Sequence, residues 1–474
     1  MDPLTWTGSL GVVLNPVMLA LLAVAAIGIV AQFVLPLVIA TNQRGALALQ
    51  RGPADYAAMA VQYSLFGIIA IIKIYVIAAI VGPYGIAGIV GEVGARFLPV
   101  WIALGITFAL SITFKRKLGL YGKLFDSPIG MVGFGLVMFW VFTAFFADMI
   151  MTHDPLVQEV VMKNKVPGTP FSGDEGAYPH YLLGGDKLAR DVFSRMVAGS
   201  QIVITIAPLA TLFAFMTGIT LGLPAGYFGG IFDTVLSFLA NLILAFPVIL
   251  LFFLLVTPEI EAAGLPSFMG MIMFAFPILF LIVLFNSRYF TQPTKRLVLI
   301  GGTVVLGGWL YMSALSQDRT FFGDFMGAID AFDLQDGILT VFVSVVFVNS
   351  PTVFRIVRGL ALDIQTRDYV AAAQTRGEGP WYIMLWEILP NARGPLIVDF
   401  CLRIGYTTIL LGTLGFFGLG LESESPDWGT TINAGRQLLS AFPHPAIVPA
   451  VALVSLVLGL NLLADGLREE SLRD

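Results

Sequence analysis

Three ionisable residues stand inside stretches that are otherwise apolar: Lys73 in IIAIIKIYVI, and Asp399 and Arg403, four apart, shortly after Asn391. An ionised side chain at mid-bilayer costs at least about 2.5 kcal/mol, so each needs a partner or a task such as ion coupling. Asp399 and Arg403 can neutralise one another on one helix face. Lys73 has no such neighbour in sequence, and is left to pair across helices or to reach toward the membrane surface. His153, His180 and His444 are far apart and Cys401 is the only cysteine, which excludes an intrachain disulfide and a cysteine-clustered metal site. Gly122-Lys123 is followed by Leu124 rather than Ser or Thr, so no P-loop is present to cradle a nucleotide. Neither H-E-x-x-H nor G-x-S-x-G occurs, and no paired-carboxylate site stands out. No enzymatic chemistry is expected, and no cofactor bound by this chain.

The elements that carry these residues are membrane helices. With 57% apolar residues, 12% charged residues and a mean hydropathy of +0.87, 474 residues cannot bury their apolar surface in one water-soluble globule. About 20 apolar residues cross the hydrocarbon core as a helix. On that criterion the chain is all-α and polytopic with about eleven spans, near 15–40, 60–82, 97–114, 129–150, 201–224, 234–257, 269–287, 298–315, 338–356, 396–420 and 446–466. The start, MDPLTWTGSL, has neither a basic run nor a small-residue cleavage site, so the first apolar segment is expected to remain as a span. The net charge of -5 and the lack of a basic aromatic stripe give no nucleic-acid partner. An N-terminus outside and a C-terminus in the cytoplasm puts sixteen Lys and Arg in inner loops and eight in outer ones, the sense of the positive-inside rule. Pro247 falls inside the sixth span and should bend it.

Between the ninth and tenth expected spans lies a polar stretch, DIQTRDYVAAAQTRGEGPWYIMLWEILPN, from Asp363 to Asn391. Asp363 can cap a short helix that runs through Ala371, Ala372 and Ala373, Gly377 can close it in the left-handed conformation, and Gly379-Pro380 can open a second helix. Trp381, Met384, Leu385 and Ile388 then share one side, an apolar stripe expected to be covered by another protein. The pattern resembles the cytoplasmic EAA loop of binding-protein-dependent ABC importer permeases, with Ala371-Ala372-Ala373, Gly377 and Glu387-Ile388-Leu389-Pro390-Asn391 in place. In that family the loop docks on the ATPase subunit, so the resemblance implies coupling residues Arg367, Ala371, Ala372, Ala373, Gly377, Glu387, Leu389, Pro390 and Asn391. Ala371 stands where glutamate is usual, and Glu387 where histidine or an apolar residue is common.

Three further segments resemble the dipeptide, oligopeptide and nickel branch, C-type subunit. LLGGDKLARDVFSR matches an outer-loop motif at Gly185, Asp186, Arg190, Asp191, Ser194 and Arg195, with Ala189 in place of a glycine. This cluster either pairs locally to cap the next helix or helps to dock an external binding protein. GFFGLGLESESPDWG matches at Phe416, Gly418, Pro426, Trp428 and Gly429, and NLLADGLR at Asn461, Asp465, Gly466 and Arg468. The resemblance implies a type I importer permease core over 129–474, preceded by an accessory region of three spans, 1–128. A hairpin inserted at about 262–325 has no counterpart in the family, and its outer side is acidic: Glu259, Glu261, Asp318, Asp324, Asp330, Asp333 and Asp336. The 151–199 loop reads as a solvated connection, and 358–395 as the coupling loop. The implied partners are a second permease subunit, two ABC ATPase subunits that hold ATP and Mg²⁺, an extracytoplasmic binding protein and the bilayer of a prokaryotic inner membrane. The implied function is ATP-driven import of di- or oligopeptides; nickel or another small solute, a secondary ion-coupled transporter, and a membrane scaffold are the alternatives.

Overall fold

The computed structural model describes residues 2–39, 53–171, 177–257, 259–260, 263–316, 337–419 and 424–471. Among these, ten helices are long and apolar enough to cross a membrane, and a bent pair brings the number to eleven. Among the described residues the structure is mainly helical, with one two-stranded antiparallel pairing, β1 (Thr169–Pro170) with β2 (His180–Tyr181). The chain divides into two compact units, residues 1–102 with 148–194, and residues 103–147 with 195–474.

The first unit holds α1 (Gly11–Ile39), α2 (Pro53–Val81) and α3 (Gly88–Arg96), with the loop 148–194 folded onto them. That loop was expected to be a solvated connection on the permease side of a boundary at 128. It is instead anchored to the N-terminal helices by polar bonds, most of them partly buried. Glu92 accepts from the Gly85 amide at 3.0 Å and from the Tyr178 hydroxyl at 3.2 Å, and Arg96 donates to the carbonyls of Met149, Ile150 and Met151. Burial, with Glu92 nearby, holds the Tyr178 phenol far above its ordinary range. Lys73 lies exposed on α2, with no carboxylate at ion-pair distance among the described residues.

The second unit holds most of α4 (Leu98–Phe114) and α6 (Val192–Phe228), and all of α5 (Pro128–Phe145) and α7 (Gly230–Ala245) through α15 (His444–Ser471). Between them come α8 (Val248–Leu255), α9 (Leu265–Arg288), α10 (Pro293–Ser316), α11 (Ile338–Ile364), α12 (Asp368–Thr375), α13 (Arg393–Phe417) and α14 (Trp428–Arg436). α11 is central, with 67% of its most apolar stretch buried, whereas α10 buries only 6% of its own. Exposed apolar side chains on such helices are what lipid covers. α5 crosses α15 where Gly133 lets the backbones touch: a Cβ there would stand 2.3 Å from the Leu463 amide nitrogen.

The sixth expected span is broken rather than gently bent. α7 and α8 meet at 89°. Pro247 lacks an N–H and disfavours the helical conformation of the residue before it, and Phe246 is accordingly extended at ψ 138°. The expected hairpin is present as α9 and α10. Its acidic outer residues, Glu259 excepted, lie outside the described residues. Asp399 and Arg403 pair at 2.9 Å along α13, as their spacing required.

Candidate functional site

The polar stretch between α11 and α13 folds into two short helices. Asp363 does not cap the first of them. It lies in the last turn of α11 and pairs instead with Arg367, Nη2 to Oδ2 at 3.0 Å. Arg367 itself is the extended residue before α12, and no side chain caps that helix. The other end closes as its residues require: Gly377 has φ +80°, its amide donates to the Gln374 carbonyl at 2.9 Å, and the Glu378 amide donates to Ala373 at 3.2 Å. This is a Schellman closure, which glycine enters without a Cβ penalty.

The second helix begins at Gly379-Pro380 but is not regular. An α turn, Pro380–Tyr382, runs into a π turn, Ile383–Ile388, and then a final α turn, Leu389–Asn391. A π turn carries an extra residue, shifts the faces that follow and recurs at functional positions. Residue spacing alone gave no sign of it.

The loop has two unlike faces. Met384, Leu385 and Ile388 are buried, together with Ile383, against α6 and α11 residues such as Leu223, Val353 and Val357. The expectation that a separate protein covers this stripe is therefore corrected: the chain's own bundle covers it, and only Trp381, 41% exposed, remains outside. Ala373 is buried and Leu389 partly so, while Arg367, Ala371, Ala372, Gly377, Pro390 and Asn391 are exposed. Glu387 links the two helices by an ion pair with Arg376, Oε1 to Nη2 at 3.0 Å, and Asn391 donates to the Glu387 carbonyl at 2.6 Å. Trp386, the second tryptophan of the loop after Trp381, was not singled out from sequence. Its indole N–H donates to Ser287 Oγ at 3.1 Å, and the Arg288 guanidinium lies 4.5 Å from its ring centroid.

The outer-loop residues Gly185, Asp186, Arg190, Asp191 and Ser194 lie in the first unit. Asp186 and Arg190 form an ion pair at 2.8 Å with each side chain 1% exposed, and Asp186 also accepts from the amides of Leu188 and Arg190. Asp191 accepts from the hydroxyls of Thr152 at 2.8 Å and Ser194 at 2.7 Å, and Gly185 bridges to Asp191 through the backbone. Ala189, where a glycine is usual, sits at φ +66°. In the second unit Arg195 donates to the carbonyls of Glu424 and Ser425, and the Trp428 indole donates to the Met196 carbonyl, so two motifs more than 200 residues apart in sequence meet.

Residues 218–469 match the family described as the inner membrane component of binding-protein-dependent transport systems. The chain belongs to this family. It is similar to the glutathione transport system permease protein of Pectobacterium atrosepticum, 28% identical over 296 residues, covering 62% of this chain and 73% of that one. It is also similar to the dipeptide transport system permease protein of Haemophilus influenzae, 26% identical over 295 residues, 62% and 75% of the two chains. The di/tripeptide transport system permease protein of Pseudomonas aeruginosa is 24% identical over 362 residues, 76% and 93%. Within this transport family the matched region contains the whole polar loop, α11, α13 and the α9–α10 hairpin. The chain is a multi-pass membrane protein of the peptide-type importer permeases, built almost wholly of helices.

Proposed function

We propose that the chain is the peptide-translocating permease subunit of an ATP-driven importer, and that its 358–395 loop receives the force of separate ATPase subunits on the cytoplasmic side. The observation that carries this reading is the division of the loop into two faces. A locked apolar underside fixes the helices to α6 and α11, and a continuous outer face of Ala371, Ala372 and Arg376 is left for a partner. Force applied to the outer face is passed to the bundle because the underside has no room to slide. A second permease subunit completes the path, an extracytoplasmic binding protein delivers peptide, and the partners hold ATP and Mg²⁺. The N-terminus lies outside and the C-terminus in the cytoplasm. The cycle is alternating access, driven by ligand and nucleotide affinities that differ between states.

The ion-coupled alternative asks for unbalanced charge buried among the spans, but Asp399 and Arg403 neutralise one another and Lys73 lies exposed on α2 rather than enclosed by other helices. Purification in mild detergent is expected to bring down ATPase subunits, and peptide uptake is expected to survive an uncoupler while ATP stays high. Uptake that collapses with the uncoupler, without any associated ATPase, would overturn the reading.

A further inference from the structure

We propose that the α9–α10 hairpin is a third arm of the coupling machinery, with Ser287 and Arg288 as positioning residues that hold Trp386 and, through it, the second coupling helix. This rests on the reading that the 358–395 loop docks on ATPase subunits.

The hairpin is attached through α9. Its 24 residues make a rod roughly 36 Å long. Toward its start, Phe274 packs on Val343 of the central helix α11. Farther along, Phe280, Val283 and Leu284 pack against the cluster under the coupling loop. At its end, Ser287 and Arg288 reach Trp386. One continuous helix, with Pro277 between the two sets of contacts, thus touches both the element that moves the pathway and the element that receives the force.

The contact at Trp386 is directional in a way that apolar packing is not. Ser287 takes the in-plane N–H, and Arg288 takes the π face, so position and orientation of the ring are both fixed. The ring belongs to the π turn Ile383–Ile388. A π turn competes with an ordinary helical register, and a change of register would swing every later side chain around the axis. Held at Trp386, the second coupling helix keeps one register and moves as a unit with α9. Released, it slips, and ATP is hydrolysed without import.

The test uses the full complex in proteoliposomes, with binding protein, ATP and a mixed pool of di-, tri- and oligopeptides whose uptake is read by mass spectrometry. Ser287→Ala combined with Arg288→Gln, and separately Trp386→Leu, are expected to lower peptide imported per ATP about three- to tenfold, with ATPase subunits still fully bound and hydrolysis continuing. Trp386→Phe keeps the π face and loses the N–H, and is expected to fall in between. Phe290→Ser, at the exposed hairpin tip, is expected to match wild type. A wild-type ratio in the Ser287/Arg288 variant overturns the proposal whether or not Trp386→Leu folds. Ala372→Arg, on the outer face of α12, separates this from the underlying reading: if it leaves ATPase binding and the ratio untouched, docking falls and the hairpin's role falls with it. If it strips the ATPase subunits while the hairpin variants keep a normal ratio, the hairpin proposal falls alone. Should wild type take up nothing from the pool, the peptide reading falls, and the hairpin is judged on hydrolysis, which its variants are expected to raise at least about twofold.

Discussion

Two of the polar stretches that carry motifs in this chain use charge in opposite ways. From Gly185 to Ser194 all the charges but Lys187 go inside: Asp186 and Arg190 are each 1% exposed, and Asp191 is enclosed by hydroxyl donors. From Asp363 to Asn391 the charges stay outside and the apolar side chains go in, with Arg376 of the linking ion pair 56% exposed. A buried pair is a structural commitment, since removing one partner strands the other in a medium that cannot solvate it. An exposed pair contributes little to stability and leaves its surface free for contacts.

The largest expected effect tests this contrast directly. Asp186→Ala should cost about 3 to 5 kcal/mol, read as loss of folded protein in the membrane, whereas Arg376→Ala should cost under about 1 kcal/mol and lower uptake instead. Equal losses of folded protein from both would erase the distinction. Next comes the underside of the 363–391 loop, where Ile388→Ala opens a cavity and should cost about 2 to 4 kcal/mol in a thermal melt of the purified protein. Gly377→Val forces a β-branched residue to φ +80° and should cost about 1 to 2 kcal/mol, confined to the loop because open space surrounds the site. Its expected signature is ATP hydrolysis continuing while uptake fails. In the outer loop, Ala189→Gly relieves left-handed strain against a gain in unfolded-chain freedom and should raise stability by about 0.5 kcal/mol, with Ala189→Val moving the melt the other way.

The smallest effect concerns pH. Burial pushes the Asp427 carboxyl above its ordinary range, against the opposing hydrogen bonds from Thr430. A carboxyl whose folded pKa is raised stabilises the fold below its unfolded pKa and loses that contribution as pH climbs through the folded one. Asp427→Asn keeps the cap on the Thr430 amide. Its melting temperature should therefore match wild type near about pH 4 and exceed it increasingly toward about pH 8. A difference that shrinks with pH would show that the buried charge is not the cost.

Much of this was legible in the residues. Apolar runs long enough to cross a bilayer placed nearly every helix, Gly377 announced its own closure, and the four-residue spacing of Asp399 and Arg403 dictated their pairing. What stayed hidden depends on which surface meets which. Met384, Leu385 and Ile388 form a stripe in any reading, but spacing says only that something covers them, and the chain's own α6 and α11 do so. Asp363 has the chemistry of a cap, yet α11 continues through it. The charges of 185–191 left two readings open, local pairing or docking of a binding protein. Asp186 and Arg190 do pair, but their burial could not be read because composition cannot register how a fold encloses a pair. Periodicity likewise assumes one residue per helical step, so the π turn at Ile383–Ile388 was invisible to it.

The right-angled corner at Phe246–Pro247 has a solvation consequence. A helix that stops at mid-course leaves its final carbonyls without the amides that a continuing coil would supply. Hydrocarbon offers no substitute, and each unmet group there costs several kcal/mol. Phe246, Val248, Ile249 and Leu250 around the corner are all substantially uncovered. Oil alone is therefore an untenable neighbour for this elbow: moisture or a companion polypeptide has to stand beside it, and a solitary copy adrift in lipid would have neither.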